Sequence, residues 1–305
     1  MLRRVVRTLN LVLVFALQVW PSDSQSQELE PRAFSPAPIG TTFLLSGFGA
    51  SRGAVVVDAA SPIQDLQAEI SFAIAGGGYT FDVAGHQARI LALVPYAWGG
   101  VTGDVAGQAR SRALEGFGDA RFKLSVALIG GESQTVEQFF QSPKHRVIGA
   151  SLTVTAPVGQ YESERLINLG LNRWAFKPEL GIWQPIGRWT FDGSVGVWFF
   201  TANDAYFPGH ATREQGPIST LQGHVSYDFP SGIWLGLDAV WFYGGQTRID
   251  GVTTPGRVNS TRVGATLSLP MSARQSLKFT YSTGLATRRG ADFNSFGIAY
   301  QLVMF

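Results

Sequence analysis

Apolar and polar residues alternate with a period of two through most of the chain after residue 40. The pattern is clearest from Trp174 to Thr201, where two alternating arms flank the short link Pro185–Arg188. Period two predicts β-strands, because successive side chains of an extended chain point to opposite faces. The Pro- and Gly-containing link predicts a hairpin turn. Each arm has about ten residues and one charge-free face, which is typical of a tilted strand that crosses a bilayer.

The same alternation predicts about twelve strands. They are Thr41–Ser51, Leu66–Tyr79, Arg89–Gly99, Gly118–Leu128, Val147–Pro157, Trp174–Gln184, Trp189–Thr201, Ile218–Phe229, Ile233–Tyr243, Ser260–Pro270, Ser276–Ala286 and Phe296–Phe305. In each strand the charge-free face is expected to meet lipid and the more polar face to line the interior. The predicted fold is all-β: a transmembrane antiparallel up-and-down β-barrel of about 12 strands, of bacterial outer-membrane type, at residues 41–305.

The links between strands carry a second signal. Short links follow strands six, eight and ten, at Pro185–Arg188, Pro230–Gly232 and Met271–Gln275. Long polar links follow strands five, seven and nine, at Val158–Arg173, Ala202–Pro217 and Gly244–Asn259. This alternation is typical of outer-membrane barrels, which have short periplasmic turns and long outer loops. The link from Ile129 to Arg146 breaks the rule, and its part Gln134–Gln141 is predicted to form one or two helical turns.

Aromatic residues near the strand ends favour a membrane barrel over the alternative of a soluble β-sandwich or barrel. They are Trp98, Trp174, Trp189, Trp241, Tyr79, Tyr227 and Tyr243. Indole and phenol rings prefer the membrane interface because one part is apolar and one edge binds water. The chain closes on Phe305, which is out of phase with the apolar face of the last strand unless a bulge intervenes.

The N-terminal residues precede the predicted barrel. Residues 1–26 combine three arginines with an apolar run and a polar exit, which predicts a secretory signal peptide and export to the outer membrane. A membrane anchor is disfavoured because the run is too short. Residues 27–40 contain three prolines and no period, which predicts an extended segment. This segment either hangs in the periplasm or folds into the lumen as a plug.

Composition narrows the function. Charged residues make up 15% of the 305 residues, 36 are glycine and none is cysteine. Removal of residues 1–26 takes three of the 24 basic and one of the 22 acidic residues, leaving 21 of each. The basic isoelectric point, about 9.0, therefore comes from the leader. The near-neutral chain that remains gives no reason to predict a nucleic-acid partner. Without cysteine, neither a disulfide framework nor a thiolate metal site can form.

Candidate function lies on the inward face. Its predicted charged and imidazole residues are Glu69, Arg89, Asp119, Arg121, Lys123, Lys177, Glu179, Asp192, His224, Asp238, Arg262 and Lys278. They could form a pore lining that selects a small-molecule solute. They could equally form an internal lattice of ion pairs that fills a barrel of modest size. Trp183, Trp198, Trp234 and Phe242 share the inward phase and could contact an aromatic solute or pack against loops.

Enzymatic chemistry is not expected. His224, Ser226 and Asp228 share one strand face, but neighbours two residues apart lie about 6.6 Å apart along a strand, beyond hydrogen-bond reach. A hydrolase would need a triad assembled from different strands. The four histidines are scattered without metal-ligand spacing. No cofactor or metal is therefore predicted.

Several segments resemble one family. They include ELEPRAFSPAPIG, GFGDARFKLSVALIG, GASLTVTAPVGQY and, most specifically, NRWAFKPELG at Asn172–Gly181. The chain from Glu28 onward is similar to the family labelled for the meta pathway of phenol degradation, whose members are described as outer-membrane transporters. The resemblance implies a barrel that passes a hydrophobic or aromatic solute, with outer-membrane lipid and the barrel-insertion machinery as partners. It implies no catalytic or binding residues. The alternative role is a structural or surface-interaction barrel with a closed lumen.

Overall fold

The structure, a computed structural model, describes residues 29–56, 63–105, 107–287 and 290–305. The predicted signal peptide, residues 1–26, lies outside the described residues. No helix in the described ranges has both the length and the apolarity needed to span a membrane.

Strands dominate the described residues. They are β1 (Thr42–Val56), β2 (Ile63–Val83), β3 (His86–Val105), β4 (Gln108–Phe117), β5 (Ala120–Ile129), β6 (Val147–Ala156), β7 (Ala175–Ile186), β8 (Trp189–Phe200), β9 (Asn203–Tyr206), β10 (Ala211–Gln215), β11 (Ile218–Asp228), β12 (Trp234–Gly244), β13 (Thr247–Ile249), β14 (Val252–Thr253), β15 (Val258–Pro270), β16 (Gln275–Thr287) and β17 (Gly290–Met304). One helix, α1 (Val136–Gln141), lies between β5 and β6.

Thirteen of the described strands form one closed antiparallel sheet. Sequence neighbours pair around the wall, and β17 closes it on β1 in continuous register from Thr42↔Met304 to Val56↔Gly290. β4 and β5 pair with successive halves of β3 and so share one place in the wall. The described strands therefore occupy twelve wall positions, which confirms the predicted barrel.

The first strands are longer than the alternation predicted. β2 has 21 residues and β3 has 20, about twice the ~9–11 that a tilted strand needs to cross a bilayer. Thr42 and Met304, the two ends of the barrel, lie at the same edge of the sheet as the turn between β2 and β3. The extra length of β2 and β3 extends from the other edge. This part of the wall therefore projects beyond the membrane on the side of the long loops.

The aromatic residues form two belts on the outer surface. On the side of the tight turns, the Trp189 and Tyr227 rings lie 4.9 Å apart, and Tyr227 is 5.0 Å from Phe229. On the other side, the rings of Trp241 and Tyr243 stack at 5.7 Å. Such belts mark the two membrane interfaces.

The long links fold further than the sequence predicted. β9 and β10 arise in one loop and β13 and β14 in another, and the four form a second sheet in the order β14-β13-β10-β9. β10 pairs with β13 from Arg213↔Ile249 to Gln215↔Thr247. Two outer loops are thereby joined into one cap.

The helix predicted within Gln134–Gln141 is confirmed as α1. Thr135 caps it, because its hydroxyl accepts from the Gln138 N–H while the Gln138 side chain accepts from the Thr135 N–H. Phe140 of α1 meets Phe305 edge to face at 6.3 Å. Phe305 follows the end of β17 and is 40% exposed, so no bulge is needed to place it.

Candidate functional site

Residues 29–40, here called the N-terminal segment, cross the inside of the barrel. Every residue from 29 to 38 except Pro36 is buried. Arg89 on β3 donates to the carbonyl oxygens of Ala33 (3.2 Å) and Ser35 (2.8 Å). From the opposite wall, Gln222 on β11 accepts from the Glu30 N–H at 3.3 Å. The segment is therefore held between facing parts of the barrel.

Arg32 anchors the segment to β11 and β12. Its guanidinium donates to Ser226 Oγ at 3.0 and 2.8 Å and pairs with Asp228 at 2.8 Å. The same group lies 4.4 Å from the ring centroid of Trp234. A charge that is ion-paired, hydrogen-bonded and stacked inside a protein holds its backbone firmly in place.

A buried ion cluster joins the segment to β5 and β7. Lys123 Nζ contacts the carboxylate of Glu30 and lies 3.4 Å from Glu179. Lys177 Nζ is 3.2 Å from the other oxygen of Glu179. All four side chains are at most 7% exposed. Three members were predicted lumen residues, whereas Glu30 comes from the segment.

Phe34 seats the segment on two glycines. A β-carbon on Gly181 of β7 would lie 2.1 Å from Phe34 Cε2, and one on Gly149 of β6 would lie 2.7 Å from Phe34 Cδ1. These glycines are cross-strand partners. Because a side chain at either position would collide with the ring, the glycine pair forms an aromatic slot. Alternation alone does not reveal this slot, although both glycines lie on the inward phase of their strands.

A second cluster of polar side chains lies on β8, β11, β12 and β15. His224 pairs in register with Asp192 on one side and Asp238 on the other. His224 Nδ1 lies 2.8 Å from Asp238 Oδ1, and the Thr266 hydroxyl donates to Asp238 Oδ2 at 2.8 Å. Since Ser226 accepts from Arg32 and His224 pairs with Asp238, the strand face considered for a hydrolase holds no Ser–His hydrogen bond.

The remaining predicted lumen residues lie at different levels along the barrel axis. Arg262 is 1% exposed and donates to Ser282 Oγ (2.9 Å) and the Phe293 carbonyl (3.0 Å). Lys278 is buried, 6.0 Å from the Trp234 ring centroid. Asp119, between β4 and β5, accepts from Gly159 N at 2.9 Å and Leu171 N at 2.8 Å, and so fixes an outer loop.

Arg121 is half-buried on β5, two residues before Lys123 on the same inward phase. Trp183, Trp198, Trp234 and Phe242 are each at most 3% exposed, on the inner face. Among the described residues, no cluster of His, Asp and Glu has the geometry to hold a metal ion.

The prediction that Glu69 lines the interior is wrong. Its side chain is 75% exposed on the outer surface of β2, 3.9 Å from Arg52 of β1. The apolar face of β2, expected to meet lipid, instead faces inward and is buried. Alternation separates two faces without saying which one is inside, and β2 rises beyond the membrane, where an outer face can be charged.

This reversal gives the barrel an apolar inner wall. Its buried residues come mainly from β2, β3, β4 and β17: Leu66, Ala68, Ile70, Phe72, Ile74, Ala97, Val101, Leu114, Leu169, Phe293 and Ala299. Leu169 reaches the wall from the loop after β6. The inner surface is thus divided into an apolar wall and the polar clusters across the lumen.

The edge with the tight turns is covered by α1. A cavity of about 120 Å³ separates α1 from the N-terminal segment and is lined by Pro36, Phe139 and Val147, among others. The N-terminal segment and α1 thus lie on either side of this cavity, at the mouth that is expected to face the periplasm.

Solved structures include proteins to which this chain is similar. The chain matches the COG4313 outer membrane channel from Pseudomonas putida F1 with a TM-score of 0.71 and 19% identity, over 88% of this chain and 97% of that one. It also matches the transport unit of the autotransporter AIDA-I from Escherichia coli with a TM-score of 0.48 and 10% identity, over 99% and 95% of the two chains. No curated protein sequence matches this chain.

A family model described as "Putative MetA-pathway of phenol degradation" matches residues 46–302. This range includes all strands of the barrel except the first residues of β1 and the last of β17. The chain therefore belongs to this family, as its sequence motifs indicated.

Proposed function

We propose that the protein is an outer-membrane channel for a small hydrophobic or aromatic solute and that the N-terminal segment gates it. The apolar inner wall is the observation that carries this proposal. If the side chains inside the barrel only had to fill it, ion pairs would be enough. A continuous buried surface of aliphatic and aromatic side chains offers a path to an apolar compound. The similarity to an outer membrane channel supports the same assignment.

The segment is the proposed gate because its bonds lie across the lumen rather than along one wall. Arg32, Glu30 and the Phe34 ring each attach it to a different strand. The outer loops gather the solute, the apolar wall receives it, and displacement of the segment releases it toward the periplasm.

Deletion of residues 29–40 tests the gate. In planar bilayers the deletion protein is expected to show larger and longer current steps than the full mature chain, because the N-terminal segment no longer crosses the lumen. A variant that carries Arg52→Met on the outer surface serves as the control and should conduct like the parent. Unchanged conductance in a demonstrably folded deletion protein would remove the gate from the proposal.

The second candidate is a closed barrel whose outer loops bind a partner. The cap of β9, β10, β13 and β14 favours it, since this sheet joins two outer loops. Uptake of a neutral aromatic compound into proteoliposomes separates the two functions. A channel gives uptake above that of empty liposomes, whereas a closed barrel gives none.

A further inference from the structure

Three hydroxyls on the inner face of β6 have no hydrogen-bond partner among the described residues. They belong to Ser151, Thr153 and Thr155, which are 7%, 1% and 2% exposed. A buried hydroxyl without a partner is costly, of the order of 1–3 kcal/mol in proteins, so a row of three indicates a surface built to meet something else.

Two lysines flank this row. Thr153 pairs in register with Lys123 of β5 on one side and with Lys177 of β7 on the other. Lysine ammonium groups and hydroxyls both donate hydrogen bonds to a carboxylate, and those from the charged groups are the stronger. The inner face of β5, β6 and β7 therefore has the chemistry of an anion site.

The N-terminal segment already places an anion and an aromatic ring there. Lys123 Nζ contacts the Glu30 carboxylate, and the same atom lies 5.9 Å from the ring centroid of Phe34. That ring fills the slot over Gly149 and Gly181, the glycines of β6 and β7. Lys123 therefore lies close to a carboxylate and a phenyl ring at the same time, and the N-terminal segment supplies both, through Glu30 and Phe34.

We propose that the segment occupies, as an internal substitute ligand, a site for a small aromatic carboxylate. The carboxylate of the solute takes the place of Glu30 against Lys123, with the Thr153 hydroxyl as a further donor. Its ring takes the place of Phe34 on the glycine pair. This inference rests on the proposed channel function and names the solute class that opens the gate.

Competition couples binding to opening. Departure of Glu30 leaves the two buried lysines with the single carboxylate of Glu179, and an incoming carboxylate restores the lost negative charge. A neutral aromatic compound can fill the slot but cannot replace that charge. The apparent affinity for the solute is the intrinsic affinity multiplied by the fraction of time that the segment leaves the site free.

Glu30→Gln tests the site because it removes the charge of the internal ligand and keeps its size. Binding of benzoate to the purified mature protein in detergent is measured by calorimetry, with benzyl alcohol as the neutral probe. The substitution is expected to tighten benzoate binding about tenfold or more, since close charge pairs couple at least this strongly. Affinity for benzyl alcohol should change less than twofold.

Glu69→Gln is the matched control, because it neutralises one carboxylate on the outer surface. It should leave benzoate binding at the wild-type value. Adding Lys123→Met to Glu30→Gln should abolish the gain. Benzoate binding to Glu30→Gln that is no tighter than to the wild type would overturn the proposal.

Benzyl alcohol uptake into proteoliposomes reports on the channel separately. Uptake without a gain in benzoate affinity would overturn the aromatic-carboxylate site and leave the channel function standing. A gain in benzoate affinity without uptake would support the site and count against transport.

Discussion

The ring of Phe34 lies over Gly181 so closely that a β-carbon on this glycine would sit 2.1 Å from Phe34 Cε2. Phe34 belongs to a segment that precedes the barrel, and Gly181 to the middle of β7. The contact therefore depends on the absence of a side chain at one position of the wall. It ties the position of the N-terminal segment to the sequence of a strand far away in the chain.

Gly181→Ala is expected to expel the Phe34 ring and loosen the segment, because the added methyl group occupies the space of the ring. Conductance in planar bilayers should rise toward that of the segment deletion. Gly223→Ala, at a β11 glycine with open space around its β-carbon, is the control and should conduct like the wild type.

Phe34→Ala should reproduce the Gly181→Ala phenotype by removing the other partner of the contact. If the two substitutions act on this one contact, their effects on conductance should not add in the double variant. Additive effects would show that Gly181 acts on something other than the ring.

Arg89→Met is expected to free the middle of the segment, because the carbonyls of Ala33 and Ser35 lose their charged donor. Hydrogen bonds to charged groups contribute about 1.5–3 kcal/mol. The amide of Ala37, which donates to Gln87 Oε1 at 2.7 Å, should therefore exchange with deuterium at least ~10-fold faster once the segment is loosened. Mass spectrometry of the exchanged peptide measures this. Arg52→Met is the control, and equal rates in Arg89→Met and wild type would contradict the anchoring role.

Ile70→Thr keeps the branch at the β-carbon and replaces an ethyl group of the apolar wall with a hydroxyl. Uptake of a neutral aromatic compound into proteoliposomes should fall several-fold, because the wall then competes poorly for an apolar solute. Ionic conductance should change little. Glu69→Gln, the next residue outward on β2, should transport like the wild type; a loss of uptake in that control would place the solute path elsewhere.

Glu69→Cys checks which face of β2 points outward. The chain has no cysteine, so a single introduced thiol reports without background. On intact cells a membrane-impermeant maleimide should label Glu69→Cys rapidly and leave Ile70→Cys largely unlabelled. The reverse pattern would restore the inward placement of Glu69.

Much of the fold follows from local pattern. The twelve wall positions, the tight turns and the short helix at Val136–Gln141 could be predicted because each depends on residues close in sequence. Trp189 and Tyr227 stand in an outer belt for the same reason, since rings at strand ends prefer the interface. The inward phase of Lys123, Lys177, Glu179 and His224 also follows from alternation.

The alternation of apolar and polar residues could not predict the pairing of the outer loops. Arg213 and Ile249 meet in the cap although 36 residues separate them, and neither strand is long enough to show a period. Nothing local indicates that two loops will share hydrogen bonds.

The sequence by itself determined a barrel of alternating strands, because a period of two is a property of each strand alone. Only the tertiary structure decided which face of β2 is inside, because both faces alternate equally well. It alone also decided where the N-terminal segment goes, since Glu30 and Phe34 find Lys123 and Gly181 only after the wall has closed around them. Those contacts between distant residues, rather than any motif, create the candidate site.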